Sequence, residues 1–269
     1  MTVLLARKGR VRASIVAAFI ALAAIPFGVA GPVAAAPDSS PVEKYVALGD
    51  SIAAGQGGGG YVDACLRSPA GYPALLDVEP KLNLLRNAAC TGATIEQVAA
   101  TQLAQVNRGT TLVTVTVGAN GVNLPALTAA CASGLTPVEC AAALNAAAAY
   151  LASGDVPAQL GSLLAGIGDR APRATVVVTG YPVPFLPGAP TTDAVNQLAE
   201  VLNMQLAGTA LAAAGAGADV VWAPVEFGVH RAGSPDPYLG VDPSDPLTFL
   251  HPTPDGYLVY RDAVLTALG

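Results

Sequence analysis

Five short runs of this chain read as apolar and strand-like, and each is separated from the next by a stretch with helical character. The runs are 44–48, 82–87, 111–117, 174–179 and 219–223, rich in Val, Leu and Thr. A strand with one wet face alternates apolar and polar residues, whereas a strand covered on both faces does not. Little alternation is visible, so the pattern predicts parallel strands buried on both faces. Helices are expected at 70–77, 94–106, 136–152, 156–168, 191–213 and 256–268. The alanine run at 141–149 fits a tightly packed helix, because alanine has the best helix propensity. The β-α-β-α order predicts an α/β protein. Its expected architecture is a three-layer α/β/α sandwich around a five-stranded parallel, flavodoxin-like sheet.

The first 36 residues read as a segment outside that fold. Arg7, Lys8, Arg10 and Arg12 form a basic start, residues 15–25 an apolar core, and Val33-Ala34-Ala35 or Ala34-Ala35-Ala36 a cleavage site. This is the pattern of a secretory signal peptide, with 37–269 as the folded domain. The competing reading is a permanent membrane anchor, but the apolar run is short for a span. The first cysteine, Cys65, is far from the cleavage site, and no later run is long and apolar enough to cross a bilayer. A secreted or envelope-associated protein without a stable membrane anchor is expected, as a monomer.

Removing the leader takes away 4 of 13 basic residues and none of the 19 acidic ones, leaving a net charge of −10. Such a chain lacks the electrostatic footprint of a nucleic-acid binder. About 230 residues suffice to bury one sizeable core.

Four cysteines in an exported chain read as two disulfides, for which three connectivities exist. Cys131 and Cys140 are close in sequence and bracket a short Gly/Pro-containing segment, which predicts their pairing. Cys65 then pairs with Cys90. Metal binding is the competing reading. It is weak, because no CxxC spacing occurs and the histidines are only His230 and His251. No metal and no cofactor are expected.

In a doubly wound sheet, sites lie beyond the carboxyl ends of the strands. Ser51 follows the first strand, in Gly49-Asp50-Ser51, at the mouth of a small-residue helical segment. Gly92 follows the second strand, Asn120 the third, and His251 lies between the fifth and the last helix. Each has an ordinary explanation: a helix N-cap for Ser51 and Asn120, a turn glycine for Gly92. Their convergence on one sheet edge points instead to nucleophilic chemistry. Unpaired N–H groups at a helix start stabilise the negative charge that a serine's attack on an ester creates.

The blocks Gly49-Asp50-Ser51, Cys90-Thr91-Gly92-Ala93-Thr94, Val117-Gly118-Ala119-Asn120 and His251-Pro252-Thr253-Pro254-Asp255-Gly256-Tyr257 together resemble the SGNH (GDSL-type) hydrolases, a family of esterases and lipases. The resemblance covers roughly residues 44–269. With Tyr72-Pro73-Ala74-Leu75-Leu76 and the cysteines, it looks like the secreted actinobacterial branch. It implies Ser51 as nucleophile and His251 as general base. It also implies an oxyanion hole from the Ser51 and Gly92 backbone amides and the Asn120 side chain. His230 is the rival base, without a helix directly after it.

Two departures stand out. The family usually has aspartate three residues before the histidine, where this chain has Thr248. The expectation is that the Thr248 backbone carbonyl orients His251. The alternative is Asp245, if its loop folds back. The second departure is Gly121, where aspartate commonly follows the asparagine, which questions the rigidity of that loop. The resulting reading is a secreted serine esterase acting on short- or medium-chain carboxylic esters, lipid or small-molecule, through an acyl-enzyme. The glycine run 57–60 and the loop 181–190 are expected to flank the acyl pocket. A carbohydrate O-deacetylase or lysophospholipase is the same-class alternative. An envelope binding protein that has lost catalysis is the alternative outside it, favoured by the missing aspartate.

Overall fold

The computed structural model describes residues 41–131 and 137–269. The leader expected at 1–36 lies outside the described residues. Five strands, β1 (Glu43–Gly49), β2 (Leu82–Asn87), β3 (Leu112–Thr116), β4 (Thr175–Thr179) and β5 (Val220–Ala223), form one sheet in the order β2-β1-β3-β4-β5. Every pairing is parallel, with Tyr45 beside Leu112, Leu112 beside Thr175 and Val176 beside Val220. This is the flavodoxin-like order, and each strand lies within a residue of its expected place. The central strand β3 is buried at every position, as the absence of alternation requires. Strand β2 departs from the expectation: Asn83, Leu85 and Arg86 are exposed, because β2 is an edge strand.

The sheet is covered on two sides. The helices α1 (Ser51–Ala54) and α2 (Tyr72–Asp77) follow β1, and α3 (Ile95–Gln97) follows β2. After β3 come α4 (Ala119–Val122), α5 (Leu124–Ala130), α6 (Val138–Ala152) and α7 (Asp155–Arg170). The long α8 (Pro190–Gly215) and the final α9 (Pro254–Leu268) flank β5 in sequence. Helices α2 and α9 pack on each other and on one face, while α7 and α8 pack together along the other. Chain reversal after β1 dictates this. The link to β2 steps one way across the sheet and all later links step the other way, so right-handed crossovers fall on opposite faces. Helix α9 buries Tyr257, Tyr260 and Val264, one stripe at helical spacing. Thr253 caps it through the Gly256 amide, with Pro254 at its first turn.

The core contains polar side chains, and the hydroxyls on the central strands are paired. Thr114, Thr116 and Thr179 on the strands are fully buried. Their hydroxyls join those of Tyr45 and Tyr72: Tyr45 Oη lies 2.6 Å from Thr114 Oγ1, Tyr72 Oη 2.8 Å from Thr116 Oγ1, and Thr116 Oγ1 2.6 Å from Thr179 Oγ1. Hydroxyls that satisfy one another avoid the cost of burying a lone polar group.

The expected helix at 94–106 is irregular. After α3 the chain winds as a π-helix over Val98–Gln102 and ends in a 3-10 turn, Leu103–Gln105. Both expected disulfides are present, with Cα–Cα distances of 4.3 Å for Cys65–Cys90 and 4.6 Å for Cys131–Cys140.

Candidate active site

The site starts where β1 stops. Gly49 has φ +143°, and a Cβ there would lie 2.1 Å from the Thr116 carbonyl oxygen, so only glycine lets β1 and β3 approach this closely. Asp50 follows, 1% exposed. Its N–H donates to the Thr116 carbonyl at 2.9 Å, and its Oδ1 accepts from the Ile52 N–H at 3.0 Å, capping α1. Burial pushes the Asp50 carboxyl up to about 7, against the pull of the Tyr181 hydroxyl and the Ile52 amide. Ser51 is therefore the first residue of a capped turn, as the strand exit predicted.

Ser51 Oγ lies 2.9 Å from His251 Nε2 across 200 residues of sequence. The other ring nitrogen, Nδ1, lies 2.9 Å from the Phe249 carbonyl oxygen. A carbonyl can only accept, so Nδ1 carries the proton and Nε2 presents its lone pair to the serine hydroxyl. Burial pulls the histidine down to about 4, only partly offset by the Phe249 carbonyl. At neutral pH the ring is uncharged and accepts a proton.

The carbonyl that accepts from His251 Nδ1 belongs to Phe249, and not to Thr248 as expected. The Thr248 carbonyl is occupied by the N–H of His251 itself, at 2.9 Å. Leu250, between Phe249 and His251, sits at φ +58°, a left-handed position rare for a branched residue. That twist brings the nearer carbonyl under the ring. Asp245 is not bonded to His251 either. Its carboxylate accepts from the Leu247 N–H at 3.0 Å and the Thr248 hydroxyl at 2.7 Å, which shapes the loop from within.

The second and third loops meet the serine turn at one cavity of about 260 Å³, lined by Ser51, Gly92, Asn120 and His251 together. Gly92 has φ +76° with open space where a side chain would be. Asn120 Nδ2 donates one proton to the Ala93 carbonyl at 2.9 Å, tying the two loops and leaving its second proton for another acceptor. The glycine at 121 is explained by Tyr150: a Cβ at Gly121 would lie 1.9 Å from its ring, so the phenol of α6 fills the space an aspartate would need.

Several residues were not legible as site residues. Gln56 reaches Thr91 Oγ1 at 2.5 Å and the Pro246 carbonyl at 3.1 Å, joining the serine, glycine and histidine loops. Gln102 takes both the N–H and the carbonyl of Gly49, each at 2.8 Å. Tyr181 donates to Asp50. Gln56 and Gln102 lie amid unremarkable sequence, and for Tyr181 the loop was expected at the pocket but its bond to Asp50 was not.

Of the loops expected to flank the pocket, Tyr181, Pro182 and Pro184 do line it. The glycine run does not. Gly57 packs beneath the histidine, where a Cβ would lie 2.4 Å from the Pro252 carbonyl oxygen and 2.9 Å from His251 Cβ. His230 is outside the cavity, stacked on Tyr238 with centroids 4.0 Å apart and its Nδ1 2.9 Å from the Asp236 carbonyl. A larger cleft of about 670 Å³ lies between α7 and α8, but it is walled by small and apolar residues such as Gly161, Ala165 and Ala212 and has no titratable group. Among the described residues no group of three His, Cys, Asp or Glu side chains could hold a metal ion, and no helix is long and apolar enough to cross a membrane.

A flavodoxin-like sheet with a serine–histidine pair beyond its carboxyl edge, and a glycine and an asparagine beside it on neighbouring loops, is the arrangement of the SGNH class of α/β proteins. Residues 47–259 match the model of the GDSL-like lipase/acylhydrolase family, and the chain belongs to that family. It is similar to a lipase from Streptomyces rimosus, 40% identical over 141 residues, 51% of this chain and 52% of that protein. It is also similar to lipase 1 from Streptomyces coelicolor, 32% identical over 180 residues, 63% and 66% of the two chains. The chain thus aligns with about half of the first relative and just under two thirds of the second. Among solved structures, an extracellular lipase from Streptomyces rimosus superposes with a TM-score of 0.73 at 33% identity, covering 84% of this chain and all of that one. A phospholipase A1 from Streptomyces albidoflavus gives 0.72 at 29% identity, covering 84% and 99%.

Proposed function

We propose that this protein is an exported serine esterase that cleaves carboxylic esters of acyl chains through an acyl-enzyme. The observation that carries the reading is the 2.9 Å contact between Ser51 Oγ and a neutral His251 whose other nitrogen is tied to the main chain. Ser51 Oγ attacks the acyl carbon while His251 Nε2 takes its proton. The carbonyl oxygen becomes an oxyanion, held by the Ser51 and Gly92 amides and the second proton of Asn120 Nδ2. Collapse breaks the ester C–O bond, and His251 returns the proton to the leaving alcohol. Water then repeats the sequence on the acyl-serine.

The cavity walls favour an acyl chain over a sugar. Ile52, Leu124, Pro182, Phe249 and Leu250 line the cavity with the serine, while the polar side chains Gln56, Thr91 and Tyr181 that also line it are bonded to one another, to Asp50 or to the main chain. Likeness to two lipases and a phospholipase A1 supports a lipid ester as substrate. The basic-apolar leader and two disulfides support export.

The test is hydrolysis of p-nitrophenyl esters of increasing acyl length, with labelling by an organophosphonate ester. Turnover should be lost in Ser51→Ala, and the phosphonate should be found on Ser51. A folded protein that neither hydrolyses any ester nor takes up the phosphonate would refute the reading.

A further inference from the structure

The loop after β4 carries a residue that none of the steps above uses. The peptide of Tyr181 is fixed from α8: its N–H donates to Asn203 Oδ1 at 2.9 Å, and its carbonyl accepts from Asn203 Nδ2 at 2.7 Å. The phenol is then directed beneath the serine turn and is buried. Its hydroxyl donates to Asp50 Oδ2 at 2.6 Å and accepts from the Ala119 N–H at 3.3 Å. One proton and two lone pairs allow both bonds at once.

Each partner adjoins a residue of the oxyanion hole. Asp50 precedes Ser51, and its other oxygen caps α1. Ala119 precedes Asn120 and opens α4, whose N-cap Gly118 has no side chain to cap with. A single oxygen atom from a third loop therefore joins the serine turn to the asparagine turn. The other buried tyrosines around Asp50 do nothing comparable. Tyr72 bonds strand threonines, Tyr257 the Gln56 carbonyl and Tyr260 the Gly180 carbonyl.

We infer that Tyr181 is a positioning residue whose hydroxyl sets the spacing between the Ser51 amide and the Asn120 carboxamide, so that both reach the same substrate oxygen. The inference rests on the hydrolase reading above. If Tyr181 only filled space, phenylalanine would serve as well. If it positions the two donors, its loss must appear in the transition state and must depend on Asn120 being present.

The experiment compares wild type, Tyr181→Phe, Asn120→Ala and the double variant for kcat, KM, phosphonylation rate of Ser51 and melting temperature. Tyr181→Phe should lower kcat about 10- to 100-fold with KM within about threefold, and slow phosphonylation in the same proportion. In the Asn120→Ala background the same change should cost less than about threefold, because the donor it aligns is gone. Should Tyr181→Phe fail to fold, Asp50→Asn removes the carboxylate acceptor while keeping an oxygen for the Ile52 cap. It should show the same loss and the same dependence on Asn120. Wild-type kcat in a folded Tyr181→Phe protein, or a loss that multiplies undiminished onto Asn120→Ala, overturns the inference while leaving the hydrolase reading intact. A wild type inert to both ester and phosphonate would overturn the hydrolase reading, and this inference with it.

Discussion

His251 Nδ1 and the carbonyl oxygen of Phe249 lie 2.9 Å apart within one turn of chain. The group that orients the histidine is thus part of the peptide that carries it. No side-chain substitution removes that carbonyl directly. Its neutrality also means that it fixes the tautomer without the full charge an aspartate would bring to a protonated ring.

Asp245→Asn is expected to lower kcat by less than about tenfold, because the carboxylate serves Leu247 and Thr248 rather than His251. The amide that replaces it keeps an oxygen for the Leu247 N–H. His251→Ala should cost on the order of 10⁴-fold or more, as loss of a triad member does elsewhere. Steady-state kinetics on the two folded variants checks both. A 10⁴-fold loss at Asp245 would show that its carboxylate reaches the histidine during turnover.

The pH dependence follows from the sign of the histidine's shift. Protonated His251 cannot accept the serine proton, so kcat/KM falls as pH drops through its pKa. Burial pulls that pKa down to about 4, from an ordinary value of about 6.5. Activity should therefore persist through pH 5–6 and decline near pH 4. Asp50, pushed up to about 7, is the other titrating group at the site, and Asp50→Asn removes its contribution. A kcat/KM profile with an acid limb near 6.5 in both wild type and Asp50→Asn would contradict the assignment to a buried histidine.

The disulfides should separate by their effect on catalysis. Cys65–Cys90 closes a 25-residue separation, worth about 3–4 kcal/mol by loop entropy, and ends two residues before Gly92. The Thr91 N–H also donates to the Cys65 carbonyl at 3.2 Å. Replacing both cysteines by alanine should lower stability by about that amount and kcat by about tenfold. Cys131–Cys140 spans only 9 residues and joins the start of α6 to the end of α5. Its removal should cost about 2–3 kcal/mol with kcat changed less than about threefold. Denaturant titration with kinetics tests the contrast, and equal kcat losses from the two would refute it.

How much of this was legible depended on whether the signal was local. Ser51, Gly92, Asn120 and His251 stand at strand exits in recognisable blocks, and the fold places all four around one cavity. The central strands were readable because a strand buried on both faces must be apolar along its own length, whereas β2 at the sheet edge has Asn83 and Arg86 exposed. The orienting carbonyl was misplaced by one residue because it depends on the φ of Leu250, and nothing about a leucine announces a left-handed turn. The glycine at 121 looked like a weakness until Tyr150, 29 residues later, was seen to occupy its side. Asp245 looked like a possible acid because distance along the chain says nothing about where a carboxylate is spent. What escaped the sequence was the long-range clamping: the bonds of Gln56 and Gln102, and that of Tyr181 to Asp50, each join segments far apart in the chain.

Gln102 offers the sharpest test of those clamps. The π-helix at Val98–Gln102 adds a residue to the turn and aims the Gln102 carboxamide at Gly49, just before Asp50 and Ser51. There β1 has run past the end of β2, whose pairing stops at Ala47–Asn87, and the glutamine substitutes for a missing strand neighbour. Gln102→Leu keeps the volume but removes both bonds. The Gly49 carbonyl still accepts from the Cys90 N–H at 3.1 Å, whereas the Gly49 N–H is left buried without an acceptor. The expected cost is about 2–4 kcal/mol of stability. A fall in kcat should accompany it, since the displaced peptide directly precedes the serine turn. Gln102→Glu keeps an acceptor for the Gly49 N–H, so its deficit in denaturant titration at pH 5 should be smaller than that of leucine. Equal stability of Gln102→Leu and wild type would show that the Gly49 peptide is held by the β1–β3 pairing alone.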